Sequence, residues 1–227
     1  MLFRSRTLQP MPFRFASWVG YDMDGRTDIK WYHSIGFRLA EKAQRLERYA
    51  ASLKAIDSGH DLAGNLSRAA DEARARAEDF GSDLTEPEAL SAAANRLTAD
   101  HPDKLTSLVP IIEALEEEAE DAATDRAIAL KTLAAAMRAD GLGMGWIHFR
   151  VNASQLHNAI RRRIDPDNTL DLASQGAIAV LRDILAKVEP LRSNFGALAI
   201  ESSTAIRQFL AMAQILEHVD SDAPIRM

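Results

Sequence analysis

Cysteine is absent from all 227 residues. That excludes a disulfide framework, a thiolate metal site and a cysteine nucleophile. It is compatible with a reducing compartment, and the cytoplasm is the expected location. Long apolar runs are also missing: no segment reaches the length needed to span a bilayer, so no membrane partner is expected. Positive charge is in deficit. The net charge is −6, which argues against a broad electrostatic hold on nucleic acid. There is no phosphate-cradling glycine loop, no serine elbow and no HExxH pair. The first fifteen residues carry Arg4, Arg6 and Arg14 and no acid, as transit peptides do. Pro10 and Pro12 would break an amphipathic helix there, and the segment leads straight into an apolar run.

What is present is enough apolar residue, 47 %, for a substantial core. Helical periodicity dominates the first two thirds. Ile35, Leu39, Lys42, Leu46, Tyr49, Leu53 and Ile56 share one stripe, stopped by Asp57-Ser58-Gly59. Leu62 to Phe80 repeats the pattern with alanines. Thr85 and Glu88 have capping-box spacing for a short helix through Leu97. Pro110 fits in the first turn of a helix beginning near Ser107. A further helix spans Asp121 to Asp140 and stops at Gly141. These helices make residues 31–140 a helical insertion.

Beyond Gly141 the texture changes. Residues 145–151 read as a strand, Asn152 caps a helix to Arg163, and Asp165-Pro166-Asp167 breaks it. Leu170 to Val188 reads as a helix and 197–201 as a short buried strand. Ser202 to Thr204 opens a helix to His218, and Ile225-Arg226-Met227 begins another element. With 13–19 as the first strand, each strand is followed by helix, so the strands must pair in parallel. The fold expected is mainly α with a few short parallel strands, in a single domain, 1–227.

Chemistry is expected beyond the carboxyl end of the first strand, where Trp18-Val19-Gly20-Tyr21-Asp22-Met23-Asp24-Gly25 forms a turn. Asp22, Asp24 and Asp28 invite a calcium-loop reading, but the glycine directly follows the second aspartate, whereas an EF-hand places it after the third. An Asp/Gly turn with carboxylates on local amides is the default. Arg150 suits either phosphate binding or a buried ion pair. His148 shares its strand face and either lines a site or is a core histidine. Asn152 reads as a helix cap and His157 as surface. Arg161 to Arg163 read as a solvated helix terminus and Glu116 to Asp121 as a solvated acidic face. Phe209, Leu210, Met212, Ile215 and Leu216 form a packing stripe.

Three segments resemble phosphoenolpyruvate carboxylases. Ser17 to Gly25 resembles that family's SWMGGDRDGNP segment, and Trp146-Ile147-His148-Phe149-Arg150 resembles its LVRLDIRQES strand. Ser193 to Ser202 resembles its SFGAYVISM strand, and Phe209 to Arg226 continues like its LAVELL…PLR stretch. The order and rough spacing match along nearly the whole chain. Tyr21 stands where the family has a second glycine, Met23 replaces an arginine, and Arg26-Thr27 replaces Asn-Pro.

The resemblance implies a partial (β/α)8 TIM-barrel slice from an enzyme that joins bicarbonate to phosphoenolpyruvate, giving oxaloacetate and phosphate. It places Arg150 at a phosphate-binding position and Asp22, Asp24 and Gly25 in a loop near the active site. The intact family enzyme uses Mg2+ or Mn2+, and its metal ligands fall outside this chain. So does its TAHPT histidine: Thr98 to Pro102 is interrupted, lies on the wrong side, and reads as a helix break. A partial barrel exposes two strand edges, so self-association or a complementary chain is expected. The alternatives are a stand-alone helical interaction or regulatory protein derived from that enzyme, or a different barrel enzyme using phosphoenolpyruvate or pyruvate. On the carboxylase reading the pure chain alone forms no oxaloacetate from phosphoenolpyruvate and bicarbonate, and detectable product in a coupled assay would overturn that expectation.

Overall fold

The computed structural model describes residues 14–23, 26, 28–187 and 194–226. Among these, nine helices and three short strands alternate as the chain's periodicities demand. Helix α1 (Trp31–Ile56) buries Ile35, Leu39, Lys42, Leu46, Tyr49 and Leu53 along one stripe. It starts earlier than the aliphatic period suggests, because Trp31 and Tyr32 also enter the core. Helix α2 (Asp61–Asp79) lies against it through Ala63, Leu66, Ala69, Ala70 and Ala73. Small side chains there let the two backbones approach closely.

Helix α3 (Pro87–Thr98) has Glu86 as its cap residue, not Thr85, since Pro87 fixes the first turn. The Thr85 amide instead donates to Asp83 at 3.0 Å. Helix α4 (Val109–Asp121) carries Pro110 in its first turn, as its sequence requires. Helix α5 (Thr124–Asp140) ends at Gly141. The acidic run of α4 is not simply a solvated face. Glu116 pairs with Arg138, Glu118 with Arg126 and His60, and Glu120 with Lys131, so the acids knit α4 to α5.

Strands β1 (Ala16–Ser17), β2 (Trp146–His148) and β3 (Ile225–Arg226) form one parallel sheet in that order. Ala16 pairs with Trp146, Ile147 with Ile225, and His148 with Arg226. Both crossovers are helical. α1 to α5 join β1 to β2; α6 (Ala153–Ile164), α7 (Gln175–Leu185), α8 (Phe195–Ile200) and α9 (Thr204–His218) join β2 to β3. The first two strands are shorter than the apolar runs 13–19 and 145–151 that contain them. Residue 13 lies outside the described residues.

The third expected strand, 197–201, is instead part of helix α8. Asn194 caps it by accepting from the Ala197 amide at 3.1 Å. Burial follows a helical spacing: Phe195 and Leu198 are buried, while Ile200 is 85 % exposed. Ile225–Arg226 takes the third place in the sheet. Helix α7 also starts later than Leu170. The Asp165 carboxylate captures the amides of Thr169 and Leu170, each at 2.8 Å, and holds them in a turn. Val188, its expected end, lies outside the described residues.

Two apolar clusters share α1. Its first half packs with Phe80, Leu97, Ile147, Phe149, Met212 and Ile215 behind the sheet. Its second half packs with Leu66, Ile112, Leu115, Leu130 and Met137 among α2, α4 and α5. No helix among the described residues is long and apolar enough to cross a membrane.

The turn into β2 depends on glycine. Gly145 has φ +74°, and a Cβ there would meet the Phe15 carbonyl oxygen at 2.5 Å, against the β1–β2 ladder bond from Trp146 N to Phe15 O. Gly141 has φ +65° with open space around it. Gly145→Ala therefore costs the backbone strain plus a backbone clash, more than about 3 kcal/mol, whereas Gly141→Ala costs only the backbone strain of about 1–3 kcal/mol. Urea unfolding of the two variants checks this, and equal losses would contradict it.

Candidate functional site

Side chains alternate across a strand, so Trp146, His148 and Arg150 point to one face and Ile147 and Phe149 to the other. Ile147 and Phe149 are buried against the helices, whereas His148 and Arg150 are exposed. Register adds Ala16 and Arg226 to the exposed face, and alternation from Ala16 adds Trp18. His148 is therefore a surface group on this face, not a core histidine.

Arg150 lies just beyond the carboxyl end of β2. Its guanidinium stands 5.8 Å from the centre of the Trp18 ring. Among the described residues no carboxylate pairs with it. Its carbonyl accepts from Gln208 Nε2 at 2.9 Å, so a buried glutamine on α9 fixes the backbone there. Arg226 stacks over Trp146 at 3.8 Å, and Arg14 reaches the same ring at 5.7 Å.

Trp18 also lines a cleft of about 470 Å³ with Gly20, Asp22, Arg26, Asp28, His33 and Phe37. Asp22 is buried, and its Oδ1 meets no hydrogen-bond donor among the described residues. Asp24 and Gly25, named with it from the sequence, lie outside the described residues. Asp28 is engaged by Arg26, with Nε to Oδ1 at 2.9 Å. The bond from Arg26 holds the Asp28 carboxyl down at about 2. Among the described residues no three His, Asp or Glu side chains gather to hold a metal ion.

The loop is anchored by residues that sequence reading treats as departures. Tyr21 is buried and donates to Glu41 Oε2 at 2.8 Å. Burial, reinforced by Glu41, pushes its phenol upward. Met23 enters the core behind the sheet. Glu41 also accepts from Arg38 Nη1 at 3.2 Å, and Arg38 Nε donates to Asp220 Oδ2 at 3.1 Å. Arg45 and Tyr49 hold the carbonyls of Gly143 and Gly141 at 2.9 and 2.8 Å. The α1 stripe thus clamps the loop that leaves β1 and the loops that lead into β2 and β3.

Elsewhere Asn152 caps α6 by accepting from the Ser154 and Gln155 amides, and His157 is exposed. Arg161 differs from the solvated terminus its neighbours suggest: it pairs with Asp165 at 2.7 Å and is largely covered. On α9, Met212 and Ile215 are core, and Phe209 and Leu216 are partly exposed. No protein-family model, curated protein or solved structure matches the chain.

Lys42 is buried in the α1 stripe and donates to the Val219 carbonyl at 3.0 Å. Loss of water pulls its ammonium down to about 8, against the pull of Glu72 and Asp220. From about pH 8 to the ordinary lysine value, the unfolded chain holds a proton that the folded chain has shed. Stability therefore rises with pH across that window. Tyr21 and Tyr49 are raised by burial and oppose this only where free tyrosine ionises, near 10.0. The Lys42 contribution between about pH 7.5 and about pH 9.5 is about 2 kcal/mol. Urea unfolding at the two values shows that rise in the parent chain and loses it in Lys42→Met; identical slopes would contradict the assignment.

Proposed function

We propose that the chain is part of a phosphoenolpyruvate carboxylase-like barrel enzyme acting in the cytoplasm, with Arg150 holding the phosphate of phosphoenolpyruvate. One observation carries the reading: Arg150 stands exposed at the carboxyl end of a parallel strand, its guanidinium 5.8 Å from the centre of the Trp18 ring and without a carboxylate partner among the described residues. Barrel and open α/β enzymes bind ligands at that end. Guanidinium grips phosphate oxygens in pairs.

The sheet supports the same reading. Three parallel strands in chain order, with helices on one face, are what successive strands of a (β/α)8 barrel supply. Parallel sheets are normally covered on both faces, and here the face bearing Arg150 is open. Phe15 and Val19, which flank β1 in sequence, are also exposed. These surfaces favour an incomplete barrel over a self-sufficient helical protein, with coverage by a second copy or a complementary chain. The reaction joins bicarbonate to phosphoenolpyruvate and releases phosphate, leaving oxaloacetate. On the same resemblance, the Mg2+ or Mn2+ of the intact enzyme would be held by residues outside this chain.

Titration of the full chain with phosphoenolpyruvate, read by tryptophan fluorescence, tests the assignment. Arg150→Gln is expected to weaken binding about tenfold or more with unchanged thermal unfolding, because the side chain is exposed. Equal affinity of variant and parent, or no binding by either, would overturn it.

A further inference from the structure

The cleft beside the loop after β1 contains an acceptor without a donor. Asp22 is buried and lines the cleft, and its Oδ1 meets no hydrogen-bond donor among the described residues. A buried carboxylate oxygen in that state is costly, and a donor entering the cleft would relieve it. The other described acid of the lining, Asp28, is matched by Arg26, which gives it both Nε and Nη2. The Lys30 amide donates to His33 Nδ1 at 3.1 Å, so that nitrogen carries a lone pair, not a proton. The negative charge of Asp22 is therefore the one left over among the described lining residues.

The walls are aromatic and already in place. Trp18 and Phe37 line the cleft and are each about half exposed. The Tyr21 amide donates to the Trp18 carbonyl at 3.0 Å, and Ser34 Oγ donates to the Gly20 carbonyl at 2.6 Å. Gly20 has φ +83°, and a Cβ on it would come within 2.6 Å of the Phe37 ring, so the ring rests directly on the loop backbone. A ligand entering here does not have to order the loop between Trp18 and Tyr21 first.

We propose that this cleft binds a small primary ammonium with a short hydrocarbon body, the N–H donating to Asp22 and the carbon chain lying against Trp18 and Phe37. A single uncompensated carboxylate selects a monocation. Oδ1 lacks a donor as well as a counter-charge, which selects an ammonium bearing N–H groups over a quaternary one. Aromatic walls favour a cation with apolar substituents over a hydrated metal ion. The volume, about 470 Å³, suits a small molecule. Arg150 also neighbours Trp18, but it is exposed, and water and salt screen its repulsion of an ammonium. This site goes beyond the phosphate reading of Arg150 and does not depend on it.

Calorimetric titration of the full chain with n-butylammonium, tetramethylammonium and Ca2+ tests the site, with thermal unfolding followed for each variant. Butylammonium is expected to bind about tenfold more tightly than tetramethylammonium. Asp22→Asn keeps the shape of the side chain and weakens butylammonium about tenfold or more. Phe37→Ala, at an exposed wall, weakens it about threefold. Arg150→Gln does not weaken it, so failure here and failure of the phosphate assignment are told apart. Equal binding of the two ammonium ions, equal affinity of Asp22→Asn and parent, or no ammonium binding by the parent would overturn the proposal. Ca2+ binding that is lost in Asp22→Asn, with no ammonium bound, would assign the loop to a metal instead.

Discussion

A single buried guanidinium sets the geometry of the sheet. Arg38 and Asp220 are each 1 % exposed at the side chain and 182 residues apart. Asp220 lies just before β3. The same guanidinium reaches Glu41, which holds Tyr21 in the loop after β1. It also packs so tightly on the loop before β2 that a Cβ on Gly143 would lie 1.8 Å from its Nη1. One side chain therefore ties together the loop after β1 and the loops before β2 and β3. Burial pushes the Asp220 carboxyl upward, and Arg38 and Lys42 pull it back. Removing one partner of such a pair leaves an uncompensated charge, at a cost of about 3–5 kcal/mol. An apolar pair of similar volume would supply comparable stability.

The long helices were legible because their stripes repeat over many turns. Ile35 to Ile56 and Leu62 to Phe80 needed only the 3.6-residue period, and Asn152 and Pro110 marked their helix starts by local chemistry. The failures have local causes too. Ala197 to Glu201 is a short apolar run, which periodicity cannot divide between strand and buried helix; the Asn194 cap decides it. Asp165 delays α7 by capturing amides that propensity would place in a helix. The true third strand, Ile225–Arg226, is two residues long and is defined by its partner in β2.

The candidate site was readable in part. Arg150 and Asp22 stood out in sequence and lie near the carboxyl ends of β2 and β1, joined through Trp18. Tyr21 and Met23 look like losses in a loop motif, yet both are core residues that hold the loop down. Gln208, Arg226 and the Trp146 stack had no local signal, since each acts through a partner distant in sequence. The acidic run on α4 looks solvated in sequence, but most of its counter-ions come from other elements, and Arg161 is covered where it pairs with Asp165. Local pattern finds elements and caps; cross-chain pairing of charges appears only once the fold is formed.

The open, cationic face of a three-stranded parallel sheet either belongs inside a larger assembly or stays exposed to water. The direct measurement is the native size of this polypeptide in its source cells, by gel fractionation with peptide mass spectrometry. Peptides from residues 14–226 are expected in a species well above the 25.0 kDa of the chain, co-fractionating with oxaloacetate formation. A species near the chain mass, with the sheet face exposed and no carboxylation in its fractions, would contradict the account.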